Sequence, residues 1–135
     1  MARASTMYEL ELLAYQTMDN GTGGDLQENN IEALIYAIKN GPDCREVFMM
    51  SDNLETPRDM SLLRYVNKPV RVILCGTANG INPAYLDIAR ATHGSVHTIE
   101  SDITNLTTVQ EGGTIKIDGQ TFKLQRGRFV RVAKA

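Results

Sequence analysis

Two short apolar runs, EVFMM at residues 46–50 and VRVILC at residues 70–75, constrain this chain more than any other feature. A strand with one wet face alternates apolar with polar residues. These runs do not, which is the pattern of strands covered on both faces in a parallel sheet. Parallel neighbours need a long crossover, usually helical, and the flanking sequence supplies one each time. Pro57 opens a short helical stretch carrying Met60, Leu62, Leu63 and Val66, and Pro69 closes it. Ahead of the first run, Ile31, Leu34, Ile35 and Ile38 follow the spacing of one helix face until Gly41 and Pro42 stop it. After the second run, Asn82 and Pro83 read as a cap and first helical residue, Tyr85, Leu86 and Ala89 as the apolar face, and Gly94 as the terminal glycine.

SVHTI at 95–99 then reads as a third short strand, and YELELLAY at 8–15 alternates as a first strand, with a helix as its rival. This repetition predicts an α/β fold with a mostly parallel sheet and right-handed crossovers. The tail differs. Residues 114–117 and 121–124 alternate around Asp118 and Gly119, a hairpin turn signal, and 128–132 offer a further strand after Gly127. The expected organisation is an α/β domain over 1–106 with a C-terminal β-hairpin appendage over 107–135.

The chain has 135 residues, 42% hydrophobic and 22% charged, enough for one compact domain with a proper core. A formal net charge of -2 gives no overall field for nucleic acid or a membrane surface. No apolar run approaches the roughly 20 residues of a membrane-spanning helix. The two cysteines, Cys44 beside a turn and Cys75 inside an apolar run, make no disulfide framework, and Cys75 is expected in the core. Reduced thiols and a soluble, cytoplasmic protein are therefore expected, unless a trimmed leader conceals an exported parent.

Candidate chemistry gathers at GTGGDLQENN, residues 21–30, just before the first long helix. Glycines at a helix mouth suit a phosphate. A dinucleotide fingerprint needs glycine where Leu26 stands, however, the Walker spelling is absent, and Asp25 and Glu28 would repel the ligand. Those carboxylates suit a hard divalent cation such as Mg2+, Mn2+ or Ca2+. With Thr22 just before them and Asp52 ending the next strand, they would meet at the C-terminal strand ends, where parallel sheets place ligands. The bland alternative makes Asp25 a helix N-cap and Glu28 its N3 partner, a variant of the capping box. The serines lack a nucleophile-elbow spelling, and His93 and His97 read as structural. Arg126, Arg128, Arg131 and Lys134 read as charges that keep an edge strand from pairing.

Taken together, GTGGDLQENNIEALIYAI, EVFMMSDN and VRVILCGTANGINPAYLDIARATHGSVHTI resemble the later part of a von Willebrand factor A domain, over roughly residues 8–106. The resemblance implies a Rossmann-like three-layer sandwich that binds proteins, often through a divalent ion at a metal-ion-dependent adhesion site. Asp52 matches the family's aspartate at the end of the fourth strand, Asp25 and Glu28 match its acidic D-x-x-E segment, and Thr22 matches its metal-site threonine more weakly. The family's first-strand D-x-S-x-S motif has no counterpart before residue 21, which makes the domain truncated or reduced. That strand lies in mid-sheet, so the N-terminal strand, a second copy of the chain or a separate chain is expected to complete the sheet.

The expected function is that of a non-catalytic protein-binding or assembly module. It would act through the loops at 21–28, 51–56 and 76–82, with Asn53, Thr77 and Asn79 as ligand-contacting residues. The alternative is a Rossmann-like nucleotide- or phosphate-binding protein or enzyme, with Thr22, Gly23, Gly24 and Thr77 around a phosphate.

Overall fold

The computed structural model describes residues 29–132, so the strand expected at 8–15 and the loop at 21–28 lie outside the described part. Helix α1 spans Asn30–Asn40. Ile31 and Leu34 on its apolar stripe are buried, and Ile35 and Ile38 pack partly against the core. Asn29, at the N-cap, makes no side-chain capping bond. Asp59 does the capping from across the chain: the Ile31 N–H donates to its Oδ1 at 3.2 Å and the Glu32 N–H to its Oδ2 at 2.7 Å. Donors that a helix start leaves orphaned thus meet a carboxylate, which also suits the positive end of the helix dipole. This corrects the reading of Asp25 and Glu28 as the capping box of this helix, which starts beyond both of them.

Strands β1 (Val47–Ser51), β2 (Val70–Leu74), β3 (Ser95–His97) and β4 (Asp102–Ile103) form one sheet in sequence order. The first two pairings are parallel and the last is antiparallel. A 3-10 turn at Met60–Tyr65 connects β1 to β2, and helix α2 (Pro83–Ala91) connects β2 to β3. Strands laid down in sequence order with crossovers of one hand put every crossover on the same face. One parity of the sheet accordingly joins α1 and α2 in a single core: Met49, Val70, Val72, Leu74, Val96 and Ile103.

The other parity carries Phe48, Met50, Arg71, Ile73, Ser95, His97 and Asp102, as the register requires. Phe48 and Met50 are each 47% exposed. The expectation that 46–50 is covered on both faces therefore fails among the described residues, because both described helices lie on the opposite side. Cys75, expected in the core, is exposed for the same reason: it continues the parity of Arg71 and Ile73 past the end of β2. What the described residues form is a mixed α/β arrangement of a four-stranded mixed sheet and a three-stranded antiparallel one.

The second sheet is β5 (Thr114–Ile117), β6 (Gln120–Gln125) and β7 (Arg128–Arg131). Both of its two-residue turns, Asp118 with Gly119 and Arg126 with Gly127, have positive φ at both positions, the twist that suits adjacent strands. Ile117, Phe122, Leu124 and Phe129 are buried in the same core as α2 and the first sheet. The expected hairpin is thus a three-stranded sheet packed into the common core.

Asp87 of α2 fastens this sheet by accepting the Phe129 N–H at 2.7 Å. Burial pushes its carboxyl from the ordinary 3.8 up to about 6, against the opposing pull of that N–H and of Arg128 and Arg90. The folded state therefore binds this proton more readily than the unfolded chain does. The stabilising contribution is complete below about 3.8 and is lost as the pH rises through about 6. Asp87→Asn keeps an oxygen for Phe129 and removes the ionisation. It is expected to raise stability at pH 7 by about 1 kcal/mol and to flatten the loss between pH 4 and 7; urea melts at the two pH values check this.

Candidate functional site

The loop after β1 and the loop after β2 meet at the N-terminus of α2, at the C-terminal ends of the parallel strands. They are locked there. The Ser51 hydroxyl donates to the Tyr85 hydroxyl at 2.7 Å, and the Tyr85 O–H donates to the Glu55 carbonyl at 2.9 Å. Asn53, at φ 64 and 8% exposed, is the central pin. Its Nδ2 donates to the Gly80 carbonyl at 2.6 Å, and its Oδ1 accepts the Asn82 N–H at 2.8 Å. Asn82 in turn caps α2 by accepting the Ala84 N–H at 3.0 Å, and its Nδ2 donates to Thr56 Oγ1 at 3.2 Å.

These fastenings shape an open cleft of about 500 Å³, lined among others by Asp52, Asn53, Gly76, Asn79, Gly80 and Arg131. Of the residues singled out in the sequence, Asp52, Asn53 and Asn79 are brought together at this cleft. Thr77 lies in the same loop but not on the cleft wall; its carbonyl closes the turn by accepting the Gly80 N–H at 2.9 Å. Asp25, Glu28 and Thr22 lie outside the described residues. Asn53 is a positioning residue here, since both polar ends of its amide already hold the two loops together. Asn53→Ala leaves the Gly80 carbonyl and the Asn82 N–H without these partners and keeps a left-handed backbone that alanine disfavours. A loss of about 2–3 kcal/mol is expected, checked by chemical denaturation.

The chemistry of the cleft is mixed. Asp52 is exposed, and its Oδ1 accepts the Leu54 N–H at 3.1 Å in a local turn. Among the described residues it is the single carboxylate on the wall, and no three His, Cys, Asp or Glu side chains gather as a metal would need. Taken alone, the described residues do not fit a divalent ion. The helix mouth offers little to an anion either: Pro83 has no N–H, and the Ala84 N–H is already given to Asn82.

Arg131 is the residue that sequence reasoning missed. Read as an edge charge, it instead reaches across to the loop after β2, where its Nη2 donates to the Ile81 carbonyl at 2.8 Å at the rim of the cleft. Gln120 joins it, its Oε1 accepting the Ile81 N–H at 3.3 Å. The only available signal was the alternation of β6 and β7, which assigns faces but not what those faces meet. No protein-family model, curated protein or solved structure matches the chain.

Proposed function

We propose that the chain is a von Willebrand factor A-like module, part of a Rossmann-like sandwich, and that it recognises a protein partner at the C-terminal strand ends, by binding and without catalysis at that site. The observation that supports this reading most is the convergence of the 51–56 and 76–82 loops on one cleft, held by Asn53. A flexible pair of loops would lose ordering entropy on binding, whereas these are already fixed. In this reading Asp25 and Glu28 join Asp52, with Thr22, around a divalent ion. Asn79 and Arg131 are then placed to meet a polar or acidic group of the partner. Beside this cleft, β1 has β2 as its one partner among the described residues, and Phe48 and Met50 lie open on the adjoining face. A second copy or another chain completing the sheet fits that edge; a well-folded monomer by solution mass measurement would contradict the oligomer.

Calorimetric titration of the full chain with Mg2+, Mn2+ and Ca2+ tests the metal. Binding that is weakened at least about tenfold by Asp52→Ala, and again by Asp25→Ala, is the expected result; no heat and no change in melting temperature would remove the metal from the account. The nucleotide-binding alternative predicts affinity for nucleotides that is indifferent to Asp25→Ala.

A further inference from the structure

The face of the first sheet opposite α1 and α2 carries a hydrogen-bonded row that the cleft does not use. Ser95 Oγ lies 2.6 Å from His97 Nε2, and His97 Nδ1 lies 2.6 Å from Asp102 Oδ1. The spacing follows from the sheet: Ser95 and His97 are two apart on β3 and so share a face, and Asp102 is the register partner of His97 on β4. A carboxylate only accepts, so the Nδ1 proton goes to Asp102 and Nε2 is left to accept from the serine hydroxyl. This is the order of roles in a nucleophile, base and orienter.

The turn leading to the orienter is itself held. The turn between β3 and β4 is tied to the second sheet, where the Ser101 and Thr98 hydroxyls donate to the Asp118 carboxylate. Beside the serine, Arg71 is the register partner of Ser95 on β2. Its Nε is engaged by Glu46 Oε2 at 2.6 Å.

We propose that Ser95 is an activated nucleophile for acyl transfer, with His97 as general base and Asp102 as its orienting partner, and that this activity is separate from recognition at the cleft. Ser95 Oγ adds to an ester carbonyl carbon while its proton passes to His97 Nε2. The acyl C–O bond then breaks, and the alcohol leaves with that proton. Water repeats the sequence on the acyl-serine, releases the acid and restores the hydroxyl. Ser95 is 4% exposed, so the substrate class is a short acyl ester slender enough to reach a nearly covered hydroxyl.

The test uses the full chain and a small fluorophosphonate, which phosphonylates an activated serine with loss of fluoride, followed by peptide mass mapping. One adduct per chain on Ser95 is expected, with none there in Ser95→Ala. His97→Gln should slow modification by at least about 100-fold, and Asp102→Asn by less. Circular dichroism establishes that each variant is folded. An unmodified Ser95 in the folded wild-type chain overturns the proposal, as does equal labelling of a folded His97→Gln. If His97→Gln does not fold, the mapped position in the wild-type chain decides alone.

Discussion

Gly94→Ala is expected to leave the chain unfolded, or less stable by about 4 kcal/mol or more. A Cβ at this position would sit 1.8 Å from the Val70 carbonyl oxygen and within 2.8 Å of two further backbone atoms of that residue. Val70 is wholly buried at the start of β2 and cannot yield as the end of a flexible side chain would. The approach is close because α2 ends here in a tight cap: the Gly94 N–H reaches the Ala89 carbonyl at 2.8 Å, and the His93 N–H the Arg90 carbonyl at 3.2 Å. Thr92 completes the joint by accepting the Val70 N–H at 3.2 Å and donating to the Ile88 carbonyl at 2.9 Å. The neighbouring His93 makes the control. It holds the left-handed position at φ 57, so His93→Gly relieves strain and is expected to be tolerated. Thermal melts of the two variants separate close approach from conformational freedom.

Phe122→Ala has the next largest expected effect, a loss of about 3–5 kcal/mol. Its ring is 0% exposed in the centre of the second sheet, and its core neighbours include residues of α2 and of the first sheet. Because the two sheets share that core, the whole described region should lose stability in one transition. Denaturation followed both by tyrosine fluorescence, which reports the chain's five tyrosines, none of them in the second sheet, and by far-ultraviolet circular dichroism checks this. Two separated transitions would show that the second sheet melts as a unit of its own.

The elements of this fold were largely legible. The stripe of Ile31 and Leu34, the Asn82 cap with Pro83 behind it, and the Asp118 and Gly119 turn are local signals, and they fall where the structure has α1, α2 and the β5–β6 hairpin. Burial was less legible, because an apolar run states a preference and not what covers it. Phe48, Met50 and Cys75 look like core residues by composition and lie on the open side by parity. The candidate site was legible only as loops. Asp59 at the start of α1, Arg131 at the cleft and Asp102 beside His97 depend on pairings between separate elements, which no local pattern encodes. The role of Gly94 was half visible. A glycine after a helix suggests a left-handed cap residue, yet that conformation belongs to His93 and the glycine is needed for space.

The central claim is that the strand-end loops form one recognition surface, and backbone NMR of the full chain during titration with Mg2+ or Mn2+ tests it most directly. Perturbations confined to residues 21–28, 51–56 and 76–82, and lost in Asp52→Ala, are the predicted result. Unperturbed spectra, or changes centred elsewhere on the chain, would contradict it.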